Sequence, residues 1–192
     1  MTTTAPHWFG PLARNGSSQG NGHPVMFGDP QPTQHFDAMP DGGGYPKGFV
    51  EWALREMRAP AASVLHLCSG SMLTGLRVDV RAEMHPDVVA DCRATPFPDE
   101  SFDWILADPP YAEDYARNLY DTAAAYPRPG EIVREATRLL RPGGLFGLLH
   151  FMVPMIRKPL RLVRVYGVTT GSGYAIRAWS LMEKPAQMGL LP

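Results

Sequence analysis

Phe102-Asp-Trp-Ile-Leu-Ala-Asp-Pro-Pro-Tyr111 decides how the rest of the chain is read. Its first six residues are short, almost wholly apolar and rich in strand-forming types, as in a strand buried on both faces of a sheet. Asp108 caps that strand, and Pro109-Pro110 cannot continue it, because proline lacks an N–H for the ladder. Outward on the N-terminal side, Ala62-Ser-Val-Leu-His-Leu67 has the same character. Arg77-Val-Asp-Val80 and Asp87-Val-Val-Ala90 read as two further strands, the second ending at Asp91. On the C-terminal side, Ile132 to Leu140 is apolar on one helical face. Arg138 and Arg141 suit its C-terminus, and Pro142-Gly143-Gly144 stops it. Leu145 to Phe151 is a fifth strand, and Leu162–Thr169 with Tyr174–Met182 reads as an antiparallel hairpin around Gly171-Ser-Gly173.

Buried strands alternating with helices predict an α/β fold, a mainly parallel sheet with an antiparallel C-terminal hairpin. A helix precedes the first strand: Phe49, Val50, Ala53, Leu54 and Met57 share a face, and Pro60 stops it. Only nine residues separate Leu67 from Arg77. A parallel crossover normally needs a dozen or more, so this connection is either a single helical turn or the two strands are not ordinary neighbours.

With 192 residues, 44% hydrophobic and 19% charged, the chain suits one globular domain. Residues 1–44 form a Gly-, Pro- and aromatic-rich arm, expected to be irregular and to lie across the body. Residues 45–192 form the folded domain. The longest apolar run, from Gly143 to Ile156, is shorter than the about 20 residues that span a bilayer. The first ten residues lack a basic and apolar leader pattern. Two cysteines, Cys68 and Cys92, exclude a disulfide scaffold, and no metal-ligand spacing is present. A cytoplasmic protein with no membrane contact and no metal is the expectation; oligomeric state is left open. Residues 1–130 carry a balance of −7 and residues 131–192 one of +6. That segregation suits a polyanion-facing surface or, equally simply, a solvated basic rim.

In an open parallel sheet, ligands sit beyond the carboxyl ends of the strands. Cys68-Ser69-Gly70-Ser71 follows the first strand and lets backbone approach a ligand closely. Asp79 and Asp91 end the second and third strands, and Asp108 the fourth. On these residues the chain resembles class I S-adenosylmethionine-dependent methyltransferases with a D-P-P-Y tetrapeptide, similar to DNA N6-adenine methyltransferases. Phe97-Pro-Asp-Glu-Ser-Phe-Asp103 and Leu140-Arg-Pro-Gly-Gly144 also resemble stretches common in that family, so the resemblance runs from 45 to 184. It implies a Rossmann-like class I methyltransferase sheet and S-adenosyl-L-methionine as cofactor. It further implies cofactor contacts from Tyr45 and Pro46, from Cys68, Ser69, Gly70 and Ser71, from Asp79 at the ribose, and from Asp91 and Cys92 near the adenine.

The resemblance implies a catalytic tetrapeptide, Asp108, Pro109, Pro110 and Tyr111. An Asp108 oxygen and the Pro109 carbonyl accept the two N–H bonds of an exocyclic amine and free its lone pair. The Pro-Pro pair stiffens the loop, and Tyr111 stacks on a base taken out of its helix. DNA is the expected partner; RNA, a protein glutamine side chain or a small molecule are the alternatives. Cys68 and Met72 stand where the family has glycines, which leaves an inactive binding module as a further alternative. His66 is expected to be a hydrogen-bonded core residue rather than a base, and Cys68 and Cys92 small buried residues. Tyr115, Tyr120 and Tyr126 either line the substrate mouth or pack a helix. Arg157, Lys158, Arg161 and Arg164 have no acidic neighbour between residues 136 and 182, and could grip phosphates.

Overall fold

The computed structural model describes residues 34–36, 44–114, 126–170 and 176–186. Eight strands make one sheet: β1 (Gln34–Phe36), β2 (Val64–Leu67), β3 (Leu76–Asp79), β4 (Val88–Val89), β5 (Phe102–Ala107), β6 (Leu140–His150), β7 (Arg161–Thr170) and β8 (Ile176–Glu183). Their spatial order is β1-β7-β8-β6-β5-β2-β3-β4. Strands β4, β3, β2, β5 and β6 are parallel, and β8 runs antiparallel between β6 and β7. The parallel sheet with an antiparallel C-terminal hairpin stands as expected. The hairpin's turn, with Tyr174, lies outside the described residues.

Helices α1 (Phe49–Met57) and α2 (Pro129–Leu139) cover opposite faces. Side chains alternate across a strand, so each strand feeds two cores. Leu65 and Leu67 of β2, Ile105 and Ala107 of β5, and Phe146 and Leu148 of β6 pack with Ile132, Val133, Ala136 and Leu139 of α2. Val64, Leu106 and Leu149 pack on the other side with Phe49, Val50, Ala53, Leu54 and Met57 of α1, and with Tyr166 and Trp179. Helix α1 ends where Arg58 turns left-handed (φ 51°) and the Ala59 N–H returns to Leu54 O at 2.9 Å, ahead of Pro60. Phe36 of β1 packs edge-on against Phe49 (5.5 Å between centroids), which ties this part of the N-terminal segment to α1.

Two local expectations are corrected. The helix does not give way to a loop at Pro142-Gly143-Gly144: β6 begins at Leu140, directly after α2. The glycine backbones are drawn into the sheet by pairing with the chain beyond β8, Gly143 N–H to Lys184 O and Lys184 N–H to Gly144 O. The short crossover is neither a helix nor a sign of separated strands. Strands β2 and β3 are parallel neighbours, joined by Cys68–Gly75 through one turn, Met72 N–H to Ser69 O. Such a connection must hug the sheet. At Gly75 (φ +76°) a Cβ would lie 2.5 Å from Val64 O and 2.8 Å from the His66 ring, so only glycine fits there.

Candidate active site

Because β2 to β6 run parallel, Leu67, Asp79, Val89, Ala107 and His150 end on one edge of the sheet. The Cys68–Ser71 loop lies there and is pinned by β3. Ser69 N–H bonds to Val78 O at 2.9 Å, and Gly70 N–H bonds to Asp79 Oδ2 at 2.8 Å. Cys68 and Gly70 both take left-handed backbone (φ 56° and 52°), and Gly70 lies against Gly44, where a Cβ would make ordinary contact at 3.4 Å with the Gly44 Cα. Asp79 is buried, and its other oxygen accepts from Arg81 N (3.0 Å) and Nε (3.2 Å). Asp91 is half exposed and gripped by the Nε–Nη2 edge of the Arg93 guanidinium. That pairing holds its carboxyl below the ordinary range.

Tyr45 and Pro46 are buried beside this loop, and the Pro46 carbonyl accepts the Phe49 N–H that starts α1. Cys92 is buried in the α2-side core. The Cys92 thiol bonded to it, together with burial, pushes the Cys68 thiol well up. Cys68 therefore stays protonated; Cys92 is buried as expected, whereas Cys68 is only half-buried. His66 departs from expectation: it is a core residue, but neither ring nitrogen has a hydrogen-bond partner among the described residues. Its ring meets Tyr45 edge-on at 5.8 Å, and burial lowers its pKa to about 4, so it is neutral at physiological pH. The crossover at Gly75 fills the space where a partner would sit.

Tyr45 Oη and Ser69 Oγ are also buried without partners among the described residues. Buried polar groups left unpaired are costly and uncommon. Here three residues around one loop carry them, next to two strand-end carboxylates and a left-handed glycine, Gly70. That donor and acceptor set fits a ligand with a diol at one end and a polar amino-acid group at the other.

Asp108 follows β5 at the same edge, with its side chain only 5% exposed. Tyr111 folds back so that its hydroxyl donates to Asp108 Oδ1 at 2.5 Å. Arg177, from β8, donates to the Tyr111 hydroxyl, lies 5.6 Å from that ring's centroid, and stands 3.8 Å from Asp108 Oδ2. Burial pushes the Asp108 carboxyl up to about 7, while the Arg177 charge and the Tyr111 hydroxyl pull it down. Burial, and then the Asp108 charge, push the Tyr111 phenol well above its ordinary range. Pro109 is buried and Pro110 partly exposed, so the rigid pair forms the floor from which Asp108 and Tyr111 project.

Several residues here were not singled out from sequence. His150, the last residue of β6, is buried and meets the Tyr111 ring edge-on at 5.5 Å. Its Nδ1 accepts the Met152 N–H at 3.2 Å, so Nε2 carries the proton and faces Tyr126 Oη at 3.4 Å. Tyr126 in turn donates to the Tyr111 carbonyl at 3.1 Å, which places it among the residues that hold the loop. Tyr115 and Tyr120 lie outside the described residues. Phe151 completes the aromatic mouth, 4.5 Å from Tyr111 between centroids. His150 was findable as a polar strand end on the ligand side; Arg177 had no such signal, since it reaches the loop only through β8 pairing. Of the four basic residues after β6, Arg161 pairs with Glu183 and Arg164 with Glu56, both beyond the sequence window that looked free of acids.

Residues 52–148 match the family described as a methyltransferase domain. In fold the chain is similar to TrmN from Thermus thermophilus, at 22% identity and a TM-score of 0.54, over 74% of this chain and 50% of that one. It is also similar to yhhF from Escherichia coli, at 12% identity and a TM-score of 0.51, over 79% of this chain and 92% of that one. The chain therefore spans half the length of TrmN. No curated protein matches it by sequence.

Proposed function

We propose, for a chain that belongs to the methyltransferase domain family and uses S-adenosylmethionine, that this site methylates an exocyclic amino group, adenine N6 in DNA. The observation that carries the reading is the buried carboxylate of Asp108 at the end of β5, on a proline-stiffened loop beside the Cys68–Ser71 turn. The cofactor supplies an electrophilic methyl group on a sulfonium. Asp79 and Asp91 would hold its ribose and adenine, and Tyr45 and Ser69 its amino-acid end, where their polar atoms, unpartnered among the described residues, gain partners.

An exocyclic amine is a poor nucleophile because its lone pair is delocalised into the ring. Asp108 Oδ and the Pro109 carbonyl accept its two N–H bonds, which localises the lone pair on nitrogen. Positioning then supplies most of the rate advantage. A nitrogen that had taken up the methyl group would be acidic, and Asp108, poised at about 7, is placed to take its proton. In the substrate-free arrangement the Tyr111 hydroxyl occupies Asp108 Oδ1. The amine therefore displaces that hydroxyl, which Arg177 retains, and the Tyr111 ring, backed by His150 and Phe151, offers the face on which a planar base rests. A mouth made of ring faces favours a planar heterocycle over a flexible side chain such as glutamine.

The test is methyl transfer from labelled S-adenosylmethionine to unmethylated DNA, RNA and cell-extract protein in parallel, with Asp108→Ala as control. Label recovered as N6-methyladenine from DNA, and lost in the variant, is the expected result. Label in RNA or protein alone would move the substrate, and near-full transfer by Asp108→Ala would overturn the mechanism.

A further inference from the structure

The connection from β6 to β7, residues 151–160, contains neither helix nor strand, yet it is firmly anchored. Pro154 is buried, Ile156 packs on the α2-side core, and Leu160 is 4% exposed. Between those anchors it turns its other large apolar side chains outward: Phe151, Met152, Val153 and Met155 are 45%, 57%, 45% and 75% exposed. Scattered exposed apolar residues need no explanation, but four within five positions of one held segment form a patch. The patch begins at the strand end that carries His150, and its first member is the ring packed against Tyr111. Arg157 and Lys158 follow directly, both exposed. Among the described residues neither has an acidic side chain within ion-pair distance, in contrast to Arg161 and Arg164.

We propose that residues 151–158 form a nucleic-acid platform: Phe151, Met152 and Met155 cover the faces of bases beside the target, and Arg157 and Lys158 hold the adjoining phosphates. The inference rests on the nucleic-acid reading of the site. A nucleic-acid strand is the occupant that uses both halves of the surface. Base faces are planar, apolar and polarisable, which suits an aromatic ring and thioethers. Apolar wedges of this kind commonly fill the step opened when a base leaves its stack. Two cations with no acidic partner among the described residues, one of them (Arg157) resting on the Met155 sulfur at 3.9 Å, complement a phosphate chain. An apolar protein surface or a second copy of this chain would leave those charges without a role.

The experiment uses the full chain with a labelled short DNA duplex and a homopolymeric single strand. Binding is followed across a salt series, for wild type, Met152→Ser/Met155→Ser and Arg157→Ala/Lys158→Ala. Calorimetric S-adenosylmethionine binding, expected to be unchanged, certifies the fold of each variant. Removing two phosphate contacts should flatten the log K against log salt slope by about 1.4 to 1.8. The methionine variant should bind about ten-fold more weakly with its slope unaltered. If wild type methylates DNA and both variants bind and methylate as it does, the platform is refuted while the functional reading survives. If wild type binds cofactor but neither binds nor methylates any nucleic acid, the functional reading itself fails. A wild-type dimer dissociated by Met152→Ser/Met155→Ser in sedimentation, or a loss confined to a protein substrate, would overturn the platform in favour of a protein interface.

Discussion

Replacing Arg177 by Met removes the only basic side chain that the described residues place against Asp108, and the consequence can be sized from the structure. The Arg177 guanidinium stands 3.8 Å from Asp108 Oδ2, with the two side chains 11% and 5% exposed. At an effective dielectric constant of about 20, unit charges at that distance attract by about 4 kcal/mol. That energy corresponds to roughly a thousand-fold in the proton affinity of the carboxyl. Asp108 already titrates at about 7 because burial disfavours its charge. Losing the cation moves its midpoint to roughly 9 to 10. In the proposed mechanism the ionised form accepts the substrate N–H, so activity should rise with pH through that midpoint, and the rising limb should move to the alkaline side. The other titratable groups around it do not confuse the assignment. Tyr111, Tyr45 and Cys68 are all raised above their ordinary ranges, and His150 is lowered below its own. The assay is kcat/KM for labelled methyl transfer against pH, which reports ionisations of the free enzyme. Arg177→Lys, which keeps the charge, should leave the limb near its wild-type position. An Arg177→Met enzyme whose rate falls by one factor at every pH, with the limb unmoved, would show that Arg177 only packs the site.

Three further outcomes follow from the same geometry. His66 keeps its proton off down to about pH 4 in the folded chain, whereas an unfolded histidine takes it up below about 6.5. The folded pKa is the lower one, so stability is lost as pH falls through that window. His66→Leu should become more stable relative to wild type by about 3 kcal/mol between those limits in urea unfolding, and parallel stability curves would contradict the burial argument. Gly75→Ala should cost on the order of 3 kcal/mol, because a Cβ there meets Val64 O in addition to the left-handed strain. Gly143→Ala, with φ +88° but nothing within 4 Å, should cost only about 1 kcal/mol, and equal losses would contradict the tight crossover. Lowering pH from 8 to 5.5 should cut turnover roughly thirty-fold for an Asp108 midpoint of about 7. Cofactor affinity measured by calorimetry should hold nearly level, since Arg93 keeps Asp91 ionised; a parallel fall in both would place the titration at the cofactor end.

The parts legible in the sequence are those where one local signal dominates. Strand β5 was readable residue by residue, because an apolar run bounded by Asp-Pro-Pro has no competing interpretation. The carboxylates at 79, 91 and 108 were placed by the rule that parallel strands deliver their ends to one edge. What escaped depended on residues distant in sequence. Pro142-Gly143-Gly144 carries a strong breaker signal, but two hydrogen bonds to Lys184 outweigh it and keep the backbone in the sheet. Arg161 and Arg164 looked unopposed because Glu183 and Glu56 lie outside their neighbourhood in sequence. His66 invited a hydrogen-bonded interpretation, since buried imidazoles usually find partners; the short crossover that excludes one was visible only as a residue count.

The electrostatics of the edge depend on where each carboxylate finds its cation. Asp79 and Asp91 take theirs two residues on, Arg81 and Arg93, so those pairs form wherever the strand ends form. Asp108 takes its cation from Arg177, which reaches it only after β8 has paired with β6, His150 opposite Ala178. The proposed cofactor end of the site is therefore assembled by local chain geometry, and the proposed reaction end by completion of the sheet. Burial separates the two chemically as well. Asp91, half exposed and doubly hydrogen-bonded, is held ionised, whereas Asp108, enclosed and facing a single cation at 3.8 Å, is held at the balance point between acceptor and acid. On the proposed mechanism one side-chain type would thus serve as a fixed charge and as a proton-exchanging group within one site, because the environments drive the two pKa values apart. A hairpin that failed to dock would leave the cofactor carboxylates in place and remove the counter-charge from Asp108, so binding would persist while the acceptor was lost. On the proposed mechanism, docking of the C-terminal hairpin would be part of what sets the Asp108 charge, although Arg177 need never touch the transferred methyl group.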